Sequence, residues 1–348
     1  MAKLQAAIIG AGLMAGKKHI PAFLKQKGKV KLTGLCDLNL QAAQRAANSF
    51  GIPNAYGDLS EMLSNEKPDL VDICTPPQTH AKLAVEAMKH GCHVLIEKPM
   101  ASTISDCDEI VNASREYGVK VCVAHSDLFY RPFMKAKELV ARGDIGDFRG
   151  MRIFLSTPTD YMTSQKDHWA HKLPGGVIGE TGPHAVYMTL AFINPIRQVS
   201  VDAMKLLDYP WSQFEDYRID LIGDRGISSV IFSYGTAQWM ARLDILGTKG
   251  ILMLDLEGMC IVRYRRPELR SLPVGVSLLS ESAQIVWTLL SNGMRFATGR
   301  LRSTHDILLK RFVDSITNGI EPPVTMEEGR EAVRVTGMIV DRLREKFG

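Results

Sequence analysis

Over its first 125 residues the chain alternates short apolar runs with stretches of helical period. The runs at 6–9, 32–36, 70–74, 94–96 and 119–124 read as strands buried on both faces. Helical stretches at 17–27, 40–50, 59–63, 79–90 and 104–116 separate them. Repeated strand and helix with such short connections predict a parallel, right-handed, doubly wound sheet. Beyond residue 126 the rhythm changes. A helix at 132–142 is stopped by Gly143, a strand follows at 148–155 and a helix at 179–192. Then come strands with less uniform burial patterns at 199–206, 217–222, 227–232, 236–243, 250–255 and 260–265, joined by turns such as Gly223-Asp224-Arg225-Gly226. Strands that succeed one another without helices predict an antiparallel sheet. Two amphipathic helices close the chain, one with the stripe Leu308, Leu309, Phe312, Val313 and Ile316, the other with Val335, Ile339 and Leu343. The expected organisation is an α/β chain of two domains, 1–125 and 126–348, with the C-terminal helices able to pack back on the first.

Composition narrows the classes. A length of 348 residues suits two domains, and 45% hydrophobic with 23% charged residues is globular. The net charge of +4 is spread evenly, 14 basic against 12 acidic residues through position 126 and 28 against 26 beyond it. Without a basic tract, nucleic acid is not expected as a partner. No apolar run approaches the ~18 residues of a membrane span. The N-terminal stretch enters a short apolar run ending at Gly10 rather than a signal-peptide core. Six scattered cysteines form no Cys-x-x-Cys pair. Reduced thiols, a cytoplasmic location and no structural zinc are the expectation.

Gly10-Ala11-Gly12-Leu13-Met14-Ala15 fits G-x-G-x-x-G/A between a strand and a helix. In that pattern the first glycine makes the tight turn, the second lets a pyrophosphate approach backbone amides, and the small third residue packs helix on strand. Asp37, 22 residues beyond Ala15, ends the second strand, where an acid accepts hydrogen bonds from an adenosine ribose. With Leu38 and no arginine beside it, Asp37 favours NAD over NADP. Thr75-Pro76-Pro77-Gln78-Thr79-His80 follows the next central strand, at the end where doubly wound sheets bind ligands. Thr75, Pro76 and Pro77 suit a rigid wall under a cofactor ribose, with His80 beside them and Thr79 as a helix N-cap. Glu97-Lys98-Pro99 ends the fifth strand. Lys98 there can hold or protonate an oxygen, and Glu97 can orient it or form an ion pair.

In order and spacing these motifs, with Gly175-Gly176 and Gly179-Glu180-Thr181-Gly182-Pro183-His184, resemble the Gfo/Idh/MocA oxidoreductases, such as glucose–fructose oxidoreductase and inositol dehydrogenase. The likeness extends through His125…Phe129-Tyr130-Arg131-Pro132 and Leu246-Gly247-Thr248-Lys249-Gly250, leaving only 265–303 unfamiliar. It implies a Rossmann domain followed by an α/β domain whose open, mainly antiparallel sheet mediates oligomers. It also implies an NAD-dependent dehydrogenase acting on a secondary alcohol of a sugar, cyclitol or related polyol. Two alternatives are an NAD-dependent glycoside hydrolase using transient oxidation and a dinucleotide-binding regulator without chemistry. Glu180 and His184 stand four apart and share a helix face, so Glu180 can orient His184 or bind a substrate hydroxyl. The resemblance makes His184 the proton acceptor and Lys98 the polarising group. Glu180 stands where the family has aspartate.

His125, Arg152, Tyr161, His168 and Trp169 are candidates for contact with a polar substrate. His168 and His171 are three apart, but no further ligand at metal spacing joins them, so no metal is expected. The later strands leave apolar residues such as Ile227, Val230 and Phe232, or Trp239, Ala241 and Leu243, on a face with no helix to cover it. That predicts a homodimer or homotetramer through the sheet of the second domain. The amphipathic segment 282–302, basic at its end, could lie on a membrane or a partner; the expectation is a protruding helix that covers a neighbouring subunit or its own sheet and extends that interface.

Overall fold

The computed structural model describes residues 3–348; the first two, with which the N-terminal stretch begins, lie outside the described residues. Two compact units emerge. One comprises residues 3–126 and 302–334, the other 127–301 and 335–348. Residues 302–334 therefore cluster with the first unit. The helix Thr304–Asn318 explains this, burying Leu308, Leu309, Phe312 and Val313 there. Lys25–Asp306 and Lys29–Asp314 ion pairs flank the packing.

The first unit is built on β1 (Leu4–Ile9), β2 (Val30–Cys36), β3 (Asn54–Tyr56), β4 (Leu70–Ile73), β5 (His93–Ile96) and β6 (Val121–Val123). Their order is β3-β2-β1-β4-β5-β6, all parallel. The order reverses between β1 and β4, so the carboxyl ends of those strands open the crevice where such sheets bind ligands. β3, three residues on the sheet edge, is absent from the sequence reading because its pattern is too short to show a period. The helices are α1 (Ile20–Leu24), α2 (Leu40–Phe50), α3 (Leu59–Glu66), α4 (His80–Lys89) and α5 (Ile104–Tyr117). A π-helical turn, Ala15–His19, precedes α1.

In the second unit α6 (Arg131–Ala141) leads into β7 (Phe148–Pro158), and α7 (Val177–Leu190) into β8 (Ile196–Met204). β9 (Asp216–Gly223), β10 (Gly226–Thr236), β11 (Met240–Gly247), β12 (Gly250–Asp255) and β13 (Cys260–Tyr264) complete a seven-stranded sheet ordered β13-β12-β11-β7-β10-β9-β8. The sheet is mixed. β7 inserts between β10 and β11 and runs parallel to β10, while the other pairs are antiparallel. A wholly antiparallel sheet would need β10 and β11 to pair directly, which β7 prevents. α8 (Ser271–Ala297) follows β13, then α9 (Thr304–Asn318) and α10 (Met326–Phe347).

Two expectations are corrected. Val230, Phe232 and Leu243 are buried, on the face packed against α7. The opposite face carries Ser229–Asp220, Arg152–Asp244 and Arg242–Asp255 pairs beside the exposed side chains of Ile227, Leu246 and Met253, so it mixes polar and apolar groups. Among the described residues one helix, α8, is long and apolar enough by composition to cross a membrane. The sequence reading missed it because single polar residues interrupt the run.

Candidate active site

In the first unit Gly10 follows β1 with φ +102°, and a Cβ there would lie 2.7 Å from the Cys74 carbonyl oxygen. Only glycine lets β1 end so close to β4. Around Gly12 a Cβ would meet nothing within 4 Å, so this stretch of backbone faces open space. Leu13 and Met14 are exposed beside it, while Ala15 is fully buried, as close helix packing demands. Asp37 stands at the end of β2 and accepts from the Ala11 and Asn39 amides, both at 2.8 Å. Each oxygen spends one acceptor position on the protein and keeps another. The carboxylate thus locks the glycine turn and still has capacity for ribose hydroxyls. These residues fit an adenine dinucleotide: an open turn for pyrophosphate and an anchored acid for ribose.

Next along the same edge, the Thr75 hydroxyl lies 2.7 Å from that of Thr79, which donates to the Pro76 carbonyl. Thr79 makes no side-chain cap, because its hydroxyl serves the turn instead. Pro77 is buried. His80 is fully buried, its ring nitrogens 3.0 and 2.8 Å from the carbonyl oxygens of Pro99 and Thr75. Burial lowers its pKa against the pull of those carbonyls. His80 ties the two loops together. His125, two residues beyond β6, is buried as well.

Glu97 does more than the sequence suggests. Its Oε2 accepts from the Lys98 amide at 2.9 Å, while Oε1 lies 2.7 Å from His19 Nε2. His19 Nδ1 lies 2.8 Å from Asp72 Oδ2. The π turn adds one residue to the helical phase and brings His19 onto the buried side. Both ring nitrogens face carboxylate oxygens, which only accept, so the ring carries both protons and a positive charge. Burial opposes that charge, but Asp72, by charge and hydrogen bond, leaves the His19 pKa well above its ordinary value. Burial likewise pushes Glu97 up, and hydrogen bonds and charge from His19 and His305 hold it well below the usual range. His305 Nε2 stands 3.9 Å from Glu97 Oε1. The donor atoms of His19, Glu97 and His305 lie within 4.8 Å of one another, as do those of His19, Asp72 and Cys74. The 2.7 Å contact between His19 and Glu97 is the length of a proton-bridged pair.

In the second unit Gly175 and Gly176, both at positive φ, turn the chain into α7. A Cβ on Gly179 would approach the Pro174 carbonyl to 2.4 Å, so the helix starts against its own loop. His184 projects from α7. Its Nδ1 lies 2.6 Å from Asp127 Oδ2 and 2.7 Å from the Tyr187 hydroxyl. The carboxylate must accept, so Nδ1 carries the proton and Nε2 the lone pair. About a quarter of the His184 side chain is exposed. The orienting acid is thus Asp127, far away in sequence, and not the i, i−4 neighbour Glu180. Burial and the charges of Asp127 and Asp255 raise the pKa of nearby Glu257.

One turn before His184, Glu180 acts on His168. Burial and His171 lower the His168 pKa, and Glu180 opposes them. The His168 ring stacks on Trp169 at 5.7 Å, and Tyr161 meets it at 6.5 Å and Trp239 at 4.9 Å. Tyr161, Trp169 and Trp239 are each about half exposed. His168, Trp169 and Tyr161 were legible in the sequence; Trp239 was read as an oligomer contact. Arg152 does not join them. It bonds Asp244 at 3.0 Å on the sheet face opposite α7, in register with Ser229.

The sequence reading missed His19, Asp72, His305, Asp127 and Tyr187 as members of these networks. A histidine just after the glycine motif and an acid two residues beyond His125 were the available signals.

Comparison with known proteins places the family. Residues 4–125 match the profile of an oxidoreductase family with an NAD-binding Rossmann fold, and residues 133–253 the GFO/IDH/MocA C-terminal domain. The chain is 32% identical to D-glucoside 3-dehydrogenase of Escherichia coli over 144 residues, 41% of each chain, so it spans well under two thirds of that relative. It is 24% identical to myo-inositol 2-dehydrogenase of Thermotoga maritima over 93% of this chain and 92% of that one. The WlbA dehydrogenase of Bordetella pertussis, solved with NADH and UDP-GlcNAcA, shares the fold with a TM-score of 0.81 at 20% identity, covering 99% of this chain and 96% of that one. With both domain profiles matched in order along one chain, the protein belongs to the Gfo/Idh/MocA family of oxidoreductases, and its first domain is that family's NAD-binding Rossmann domain.

Proposed function

We propose that the protein is an NAD-dependent dehydrogenase acting on a secondary alcohol of a sugar, cyclitol or related polyol. The observation that carries this reading is His184, with Nδ1 held by Asp127 and Nε2 left as a lone pair. That is the arrangement of a general base for a hydroxyl proton. Bound NAD supplies the hydride acceptor. Lys98, at the carboxyl end of β5, holds the substrate oxygen by charge, and the Glu97 bond to its amide fixes the backbone beneath it. Glu180, one turn before His184 on α7, binds a substrate hydroxyl. Tyr161, Trp169 and Trp239 offer flat, half-exposed faces with polar edges, the kind of surface that suits a ring bearing both C–H and O–H groups. Relatives named for glucoside and inositol oxidation support the substrate class.

The test is NADH formation across a panel of sugars, cyclitols and nucleotide sugars. At least one secondary alcohol should be oxidised with NAD in preference to NADP, and Asp37→Ala should narrow the preference. Equal or tighter NADP binding by the unaltered protein would overturn the cofactor assignment. Tight NAD binding without oxidation of any polyol would overturn the substrate class.

A further inference from the structure

α8 is built inside out. Its polar residues face its own protein and its apolar residues face away. Gln284 accepts from the Arg263 amide at 2.8 Å and donates to the Arg263 carbonyl at 3.2 Å, completing the edge of β13. Glu281 accepts from Arg266 at 3.1 Å and from Ser277 at 2.7 Å. Asn292 donates to the carbonyls of Gly258 and Met259. Meanwhile Leu272, Leu279, Trp287, Leu289, Met294 and Phe296 are each more than 70% exposed. An amphipathic helix in a soluble protein ordinarily does the reverse. Together the outward side chains expose on the order of 1,000 Å² of apolar surface, above the roughly 300–600 Å² of the largest patch on a typical monomer. It is comparable with the about 800 Å² that each partner gives to a standard protein interface.

The outward face carries a heptad seam. From Leu272 to Ala297, exposed apolar or small positions recur at alternating steps of four and three, the spacing of a helix that packs against another helix. Sizes along the seam are uneven. Folded about its midpoint, Leu272 meets Ala297, Val276 meets Gly293, Leu279 meets Leu290, and Ala283 meets Val286. Three of the four pairs set a larger residue against a smaller one, as a close-packed core requires. A parallel pairing would stack Gly293 on Gly293 and Ala283 on Ala283, leaving gaps.

We infer that α8 is a dimerisation helix, packing antiparallel against α8 of a second copy about a two-fold axis near Ala283 and Val286. The contact is isologous and closes on itself. A membrane fits less well. A spanning α8 would carry Arg263 and Arg266 of its attached edge into hydrocarbon. A helix lying on anionic headgroups presents basic residues along its length, whereas between Ser271 and Met294 the only charged residue is Glu281.

Light scattering on the full chain should give a dimer, or a tetramer built from it, at micromolar concentration. Leu279→Glu with Leu290→Glu should weaken that association at least about a hundredfold, as burying unpaired carboxylates demands, with the helical circular dichroism retained. Oxidative cross-linking of the otherwise native chain reads the direction. Leu279→Cys with Leu290→Cys together should give a covalent dimer, and Leu279→Cys alone should give none, since its two copies are then far apart along the helices. Efficient cross-linking by Leu279→Cys alone would overturn the antiparallel pairing. A monomer of 38.6 kDa that floats with phosphatidylcholine–phosphatidylglycerol vesicles would overturn the dimer in favour of a membrane surface. A monomer that does neither would overturn both.

Discussion

His19 and His184 are the same side chain put to opposite uses. His19 is buried with a carboxylate oxygen against each ring nitrogen, at 2.8 and 2.7 Å. No lone pair remains, so the ring cannot take up a proton, and it binds three segments: the turn before α1, β4 and the end of β5. His184 is partly exposed, with only Nδ1 committed. Its Nε2 is a base. The difference lies in how many ring nitrogens the fold occupies, and it separates a structural cation from a group able to exchange protons.

The largest expected effect on stability is at His19. His19→Gln removes a buried cation from between two carboxylates. Breaking such a network costs about 3–5 kcal/mol, read as the shift in urea unfolding free energy. If the shift were within a few tenths of a kcal/mol, the network would not hold the domain together. Next comes Asp127→Asn, which leaves His184 in place but no longer fixes the proton on Nδ1. Turnover should fall roughly tenfold to a hundredfold, within the range a positioned base contributes, with NAD affinity unchanged. An equal loss of NAD affinity would assign Asp127 to folding instead. The smallest effect is on pH dependence. His19, raised when folded, stabilises fully below about 6.5, and that contribution fades as pH rises through its folded value. Glu97, depressed when folded, stabilises fully above about 4.5 and loses its contribution as pH falls through its folded value. The His19→Gln penalty should therefore peak between roughly pH 4.5 and 6.5 and shrink toward alkaline pH. A penalty constant from pH 5 to pH 9 would contradict a charged His19.

Much of this was legible in the chain, for definite reasons. Uniform apolar runs mark parallel strands buried on both faces, so β1, β2, β4, β5 and β6 were visible and the three-residue edge strand β3 was not. Gly10, Gly12, Ala15 and Asp37 carry their roles in local spacing, and the structure places them as that spacing requires. Partners brought together by the fold were not visible. Asp127 meets His184 from 57 residues away, and His305 approaches Glu97 from more than 200. Local reasoning assigned the orienting acid to Glu180 because i, i+4 was the only proximity the sequence could show. The Val230 and Leu243 faces were misjudged for a related reason: alternation marks two faces of a strand, but not which one α7 will cover. In α8 the periodicity was visible, but not that its polar stripe would be the side turned inward.

The most direct test is of His184 itself. With a polyol that the unaltered enzyme oxidises, single-turnover NADH formation should be slower by roughly 10²–10⁴-fold in His184→Ala. NAD affinity and the unfolding midpoint should match those of the unaltered protein. Normal single-turnover rates in His184→Ala would contradict the account, because the open Nε2 would then have no part in removing the proton.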